Sequence, residues 1–277
     1  FLEVEPRILV PVVLLTTPNE EPLEASRRRP VVICFAQQGK GDFLVKRAHE
    51  LAALLARGVA VCLPDLRGTG ETSPGADRSC VAEVTDISAQ ELKLGQTLVG
   101  SRLRDLRSVM RYLRARRDIN PSRMGLWGDS FAPVNPQAFT DPPLRTSRSP
   151  HHAEPLGALL AILGAVYEQD VKAVVARGGL TGYAAVLEAA AFYVPHDAIV
   201  PGLLETGDLC DLAGALAPLA LRLEAMVDGR NRSVGHKAVA EVFAPTRQAY
   251  ATSADRLVLM AETRSDAGQW LAKALAD

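Results

Sequence analysis

Short apolar stretches rich in β-branched residues alternate along the chain with longer stretches whose apolar residues recur every three or four positions. The short stretches predict strands at residues 8–15, 31–35, 59–63, 124–127, 171–176, 219–225 and 257–261. The longer stretches predict helices at residues 43–56, 92–116, 155–168, 208–216, 233–250 and 265–276. This alternation indicates an α/β fold, a mostly parallel sheet with helices on both faces. A polar stretch joins the first two strands, so we expect them to form an antiparallel pair at the N-terminal edge.

The helix predicted over 92–116 shows its period well, because Leu103, Leu106, Met110 and Leu113 fall on one face. Much of the remaining surface is arginine, at positions 102, 104, 107, 111, 114 and 117. We interpret these arginines as a solvated face paired with scattered acids, and a polyanion-binding face is the alternative.

The length, composition and net charge of the chain exclude several classes of protein. The chain has 277 residues, 48% of them hydrophobic, and a formal net charge of −1. These values exclude disorder and predict a single domain over residues 1–277. Because 31 basic residues are matched by 32 acidic ones, nucleic acid is not expected as the main partner. No apolar run is long enough to predict a membrane span. Strand-like sequence follows Phe1 at once, so we expect a mature or excised domain without a signal peptide, with further domains in the full-length protein.

The four cysteines, Cys34, Cys62, Cys80 and Cys210, are far apart and form no CxxC pair. Cys34 and Cys62 lie in predicted strands, where a thiol behaves as a small apolar group. We favour four free thiols over a Cys80–Cys210 disulfide, and the spacing argues against a zinc site.

Two stretches interrupt the alternation. Residues 131–153 contain five prolines, too many for a helix, and residues 181–207 combine a short helical pattern with two prolines. Both follow the C-terminal end of a predicted strand, where open α/β sheets bind their ligands. We therefore expect both to be insertions near the active-site face.

The clearest chemical motif follows the strand at 124–127. Residues 128–132 read GDSFA, a variant of the nucleophile-elbow pattern G-x-S-x-G. Small residues on both sides let Ser130 occupy a strained turn that lifts its hydroxyl above the sheet edge. The same turn aims the backbone N–H of Phe131 at the reacting atom, as half of an oxyanion hole. Ser130 is therefore the predicted nucleophile, and an ordinary turn is the alternative.

The other half of the oxyanion hole is predicted in the loop after the strand at 31–35. That loop, residues 36–41, reads AQQGKG, and its glycines allow the backbone to approach a ligand. The main-chain N–H of Gln37 or of Gln38 is the predicted donor. A plain strand-to-helix turn explains the same residues equally well.

Residues 63–71 read LPDLRGTGE, and here the sequence resembles the α/β-hydrolase superfamily, especially its acetyl xylan esterase-like and dienelactone hydrolase-like branches. In those branches a strand ending in D-x-R-G-x-G-x-S/T follows the oxyanion loop, as it does in this chain. The resemblance extends from the first predicted strand to the last helix. It implies a small-acyl ester substrate, such as an acetylated plant polysaccharide, and a secreted or periplasmic location. We interpret Asp65 and Arg67 of this motif as a structural ion pair.

The resemblance also points to an acid and a base. Asp228 follows the strand two positions beyond the nucleophile strand, where a carboxylate orients an imidazole. The histidine implied after the last strand is missing, because residues 259–267 read LMAETRSDA. Of the five histidines we place His196 first, since prolines stiffen its segment, and His152 second, since it ends the insertion that begins at Ser130. Two alternatives for the base remain open: His236, or no functional base at all.

These residues predict a serine carboxylic-ester hydrolase that works through an acyl-enzyme without a metal or organic cofactor. Ser130 attacks the ester carbonyl, His196 accepts and returns the proton, and Asp228 orients the imidazole. A peptidase domain of the prolyl-oligopeptidase type is one alternative. The other is a non-catalytic binding or scaffold domain with a hydrolase fold, suggested by the missing histidine.

Overall fold

The computed structural model describes residues 1–18, 28–74, 80–138, 150–188 and 191–276, without the side chains of residues 80–83. Within these ranges the strands are β1 (Leu2–Glu5), β2 (Ile8–Val10), β3 (Val12–Leu15), β4 (Arg29–Ala36), β5 (Ala60–Pro64), β6 (Ile119–Asp129), β7 (Val171–Arg177), β8 (Ala220–Glu224) and β9 (Leu257–Met260). Seven of them form a mixed sheet in the order β3-β5-β4-β6-β7-β8-β9, in which only β3 is antiparallel. The predicted α/β fold class is confirmed.

The N-terminal edge differs from the prediction in its pairing. The stretch at 8–15 is two strands separated by Pro11: β2 pairs with β1 in a separate two-stranded sheet, and β3 pairs with β5. The expected pairing of 8–15 with 31–35 is therefore wrong. The side chains of β3 are only half-buried, which suits an edge strand, whereas residues 31–36 of β4 are all buried and fit a central position.

The helices are α1 (Lys40–Lys46), α2 (Ala48–Leu55), α3 (Cys80–Lys93), α4 (Leu98–Ala115), α5 (Leu156–Tyr167), α6 (Ala184–Leu187), α7 (Leu209–Gly214), α8 (His236–Val242), α9 (Ala244–Ala249) and α10 (Ala267–Ala274). The stretches predicted as single helices at 43–56 and 233–250 are each two helices, and α3 was not predicted. Pro245 in the first turn of α9 explains the second break, since proline suits a helix start and not its interior.

Apolar side chains fill both faces of the sheet. On one face, Leu106 of α4 and Leu160 of α5 pack in one buried cluster. On the other, Leu54 of α2 and Leu271 of α10 pack with the fully buried Trp127. Among the described residues, no helix combines the length and the apolar character needed to cross a bilayer.

The arginines of α4 fall into two groups. Those on the surface pair with acids of neighbouring elements, as interpreted from the sequence: Arg104 with Glu5, Arg107 with Glu168, and Arg114 with Glu168 and Asp170. Arg102 is different, because it is fully buried and pairs with the buried Asp197. A solvated face is therefore wrong for Arg102, which ties α4 to the segment that carries His196.

The cysteines that the structure describes are free thiols: Cys34, Cys62 and Cys210. Burial in β5 raises the pKa of Cys62 to about 12, so this thiol stays protonated and inert. The side chain of Cys80, and with it the disulfide alternative, lies outside the described part of the chain.

Candidate active site

Ser130 directly follows β6 at the carboxyl edge of the sheet and is partly exposed. Its backbone N–H donates to Oδ1 of Asp129 over 2.8 Å, and its hydroxyl makes no hydrogen bond with a described residue. Gly178, which follows β7 with a φ of 69°, lies against it, and a Cβ there would collide with the Cβ of Ser130. The predicted position at the end of a central strand is therefore observed.

The backbone of Ser130 does not have the strain expected of an elbow. In the described part of the chain, the non-glycine residues with positive φ are Arg7, Ala225 and Asn231. The expectation of a strained turn at Ser130 is wrong for a physical reason. After Ser130 the chain continues into the insertion instead of reversing at once into a helix.

The insertion leaves and rejoins the fold at one point. Helix α5 begins only at Leu156, yet a Cβ at Gly157 in its first turn would collide with the backbone of Asp129. Helix and strand therefore meet as closely as if they were consecutive. The predicted insertion, residues 131–153, lies between them in the sequence, and Glu154 after it returns to the end of β6; residues 139–149 lie outside the described residues.

This return places a carboxylate at the predicted oxyanion hole. Oε2 of Glu154 accepts the Phe131 backbone N–H at 3.1 Å, and its Oε1 accepts the side-chain amide of Gln38 at 2.5 Å. Glu154 is only 8% exposed. Phe131 and Gln38 are thus brought together, but Gln38 contributes its side chain and both donors are occupied. Sequence reasoning missed Glu154, whose one signal is its place between the insertion and the Pro155 helix start.

The loop after β4 is shaped by Asp65. Oδ1 of Asp65 accepts the backbone N–H of Lys40 at 2.7 Å, while its Oδ2 accepts Nζ of Lys40 at 2.6 Å and the backbone N–H of Glu71 at 2.9 Å. Burial alone would lower the pKa of Lys40, but hydrogen bonds to the Asp65 and Glu71 carboxylates raise it. In the same loop, Oε1 of Gln37 is buried and has no hydrogen-bond partner among the residues that the structure describes.

The interpretation of Asp65 and Arg67 as an ion pair with each other is wrong. Arg67 pairs with Asp105 of α4, at 2.5 Å, and with Glu5 of β1, at 3.0 Å. The two members of the motif therefore stabilise different contacts. Asp65 holds the loop after β4, whereas Arg67 joins the loop after β5 to α4 and to the small sheet.

Asp228 lies four residues beyond β8 and organises its own turn. Its Oδ1 accepts the backbone N–H groups of Arg230 and Arg232, each at 2.9 Å, and its Oδ2 accepts Nε of Arg232 at 2.8 Å. The structure does not bring this carboxylate to a histidine. Oδ2 of Asp228, an oxygen that could orient an imidazole in a catalytic triad, is instead bonded to the guanidinium of Arg232.

The histidines are spread around the site. His196, the first candidate, is exposed, and its Nδ1 lies 2.9 Å from Oγ of Ser88 in α3. His152, the second, packs edge-on against Tyr193 with ring centroids 6.1 Å apart, and burial lowers its pKa. His236 begins α8 and is exposed. Neither His196, His152 nor His236 forms a hydrogen bond with Ser130 or Asp228.

Beneath Ser130, charged residues at the ends of three adjacent strands form a buried network. Asp129 of β6 pairs with Arg47 at 2.7 Å and with Arg177 of β7 at 3.3 Å. Arg177 pairs with Glu224 of β8 at 2.6 Å and with Glu50 at 3.2 Å. The one sequence signal for this network is a charged last residue in each of the three strands.

The network extends to the loop after β9, where the resemblance implied a histidine. Arg222 of β8 pairs with Glu224 and with Asp266 of that loop. Burial raises the pKa of Asp266, but the hydrogen bond and the charge of Arg222, together with a backbone hydrogen bond and the charge of Arg264, leave that pKa below its usual range. The loop thus supplies an acid to an ion pair, and not a base to Ser130. In the part of the chain that the structure describes, no group of three or more potential metal ligands comes together.

No protein-family model and no curated protein matches the sequence. Solved structures do. A candidate acetyl xylan esterase from Bacteroides fragilis is 14% identical with a TM-score of 0.63, and the match covers 92% of this chain and 63% of that one. A glucuronoyl esterase from Solibacter usitatus is 14% identical with a TM-score of 0.54, covering 96% and 77%. A cold-adapted esterase from an Arctic intertidal metagenomic library is 14% identical with a TM-score of 0.51, covering 96% and 88%.

The fold is therefore the α/β-hydrolase fold of these esterases, as the resemblance implied. The similar structures are esterases and hydrolases, and this chain spans less than two thirds of the Bacteroides fragilis protein. At such low identity the likeness establishes the fold, and the chemistry has to be argued from the site.

Proposed function

We propose that this chain is a non-catalytic domain with the α/β-hydrolase fold that serves as a binding or scaffold module. One observation carries the proposal. The Ser130 hydroxyl has no hydrogen-bond partner among the described residues, while its predicted partners are bonded elsewhere: Asp228 to Arg232 and His196 to Ser88. A serine without a base within hydrogen-bond reach is a weak nucleophile at neutral pH.

A fluorophosphonate probe tests this directly, because it reacts with activated serines. We expect the purified chain to show no labelling above the Ser130→Ala variant, and no more p-nitrophenyl acetate hydrolysis than that variant. An authentic serine esterase in the same assay controls for the probe. Labelling that maps to Ser130 would overturn the proposal.

The second candidate is the serine carboxylic-ester hydrolase, favoured by the partly exposed position of Ser130 directly after β6, at the carboxyl edge of the sheet. In this mechanism Ser130 attacks a small-acyl ester, such as an acetylated polysaccharide, and the alcohol leaves with the proton taken from Ser130. Water then hydrolyses the acyl-enzyme, which releases the carboxylic acid and restores the serine. His152 is its better base, because the ring of His196 is bonded to Ser88 whereas His152 lies two residues before Glu154, which contacts the backbone of Phe131 next to Ser130. Labelling that His152→Gln abolishes and His196→Gln leaves intact would select this candidate. Cleavage of aminoacyl arylamides without ester hydrolysis would instead indicate a prolyl-oligopeptidase-type activity.

A further inference from the structure

The carboxylate of Glu154 is bonded to two residues that the sequence predicts in an oxyanion hole, Phe131 and Gln38. One of its oxygens takes a backbone N–H from Phe131 and the other takes an amide N–H from Gln38. Two N–H donors directed at one carboxylate are the arrangement by which proteins recognise a small oxyanion. In the sequence, Gln38 lies 116 positions from Glu154 and Phe131 lies 23 positions from it. The fold therefore brings these three residues together, and the local sequence does not.

We propose that Phe131 and Gln38 form a receptor for a small monocarboxylate, and that Glu154 blocks it as a resident substitute. The side chain is nearly buried, and its negative charge repels any second oxyanion at the same donors. The ligand class that the donors fit is a small monocarboxylate such as acetate or formate, because each of two carboxylate oxygens takes one N–H. This inference rests on the geometry of the two donors and holds whether or not Ser130 is reactive.

Withdrawing the carboxylate should therefore create an anion site. In Glu154→Ala, sodium acetate should shift the backbone amide resonance of Phe131. We expect half-saturation in roughly the millimolar range, because acetate has only four non-hydrogen atoms with which to bind. Saturating acetate should also raise the Tm of this variant by about 2–4 °C. Sodium chloride at equal ionic strength controls for salt.

Two further variants distinguish occupation of the two donors by residue 154 from a non-specific effect of substitution on the fold. Glu154→Gln keeps an oxygen that accepts the Phe131 N–H, so it should stay blocked and show no acetate-dependent shift. Glu205→Ala removes an exposed glutamate and should behave as the wild type. If Glu154→Ala folds poorly, Glu154→Ser replaces it, and acetate should then restore its stability toward that of the wild type.

Two results would overturn the inference. One is an equal acetate response in the wild-type protein, which would mean that Glu154 does not block the donors. The other is a folded Glu154→Ala or Glu154→Ser protein with no acetate response beyond that of chloride. Because the readout is binding, this test can fail while the labelling experiment succeeds, and the reverse.

Discussion

The loop after β4 and the loop after β9 lie on opposite sides of β6, and buried charges shape both. In the first, Asp65 binds two backbone N–H groups and Nζ of Lys40, so its charges hold main chain in place beside the candidate site. In the second, Asp266 binds the side chain of Arg222, which continues into Glu224 and Arg177. The β4 side thus keeps the backbone framework of a hydrolase, whereas the β9 side uses its strand ends as a structural network.

This difference separates two requirements of serine hydrolysis. A nucleophile and its oxyanion donors depend on the course of the backbone, which local glycines and one carboxylate can maintain. The acid and base must instead meet from loops that follow β8 and β9. Here Asp228 and Asp266 are each bonded to an arginine, and neither forms a hydrogen bond with a described histidine.

Breaking the network at its centre should have the largest effect. Arg177→Ala would leave Glu50, Asp129 and Glu224 buried together without their shared cation. We expect a loss of about 3–5 kcal/mol in the free energy of unfolding, measured by urea denaturation. Arg111→Ala on the exposed surface of α4 is the matched control and should change it by less than about 0.5 kcal/mol. A small loss in Arg177→Ala would mean that the network contributes little to stability.

On the β4 side, Asp65→Asn should cost less, because Glu71 still pairs with Lys40 when Asp65 is neutral. We expect a loss of about 1.5–3 kcal/mol for the weakened bonds to two backbone N–H groups and one ammonium. Chemical shifts of Gln37 and Gln38 should change as their loop relaxes. Asp42→Asn removes a half-exposed acid from α1, and we expect it to cost less than about 1 kcal/mol. A loss equal to that of Arg177→Ala would contradict the distinction between the two sides.

The features that could be predicted are those with a local pattern. Ser130 was placed at a strand end because period and glycine spacing lie within ten residues of it. The role of Glu154 could not be predicted, because the contact with Gln38 joins residues 116 positions apart. The same holds for the ion pair of Arg102 with Asp197, which turns a surface pattern into a buried contact. Local periodicity indicates which face of a helix or strand is apolar. It does not indicate which distant charged side chains form ion pairs with that helix or strand.

The pH dependence of Asp266 tests how the loop after β9 is held. Its pKa is lowered in the folded state, so its contribution is present above the unfolded value of about 3.9 and is lost as pH falls through the folded pKa. Because its side chain is 49% exposed, we expect Asp266→Asn to cost less than about 1 kcal/mol at pH 7. The difference from wild type should vanish near about pH 2. Asp255→Asn, at an exposed position, is the control, and a difference independent of pH would contradict the assignment.

The smallest effect concerns His152, which lies between the two sides. Burial disfavours its charged form, so its NMR titration midpoint should lie below the usual value of about 6.5. The unfolded chain then binds this proton more readily, and stability should decline slightly as pH falls below about 6.5. His152→Gln should remove that decline, and His49→Gln, at an exposed position of α2, should leave it unchanged. A midpoint at or above 6.5 would contradict the burial of this imidazole against Tyr193.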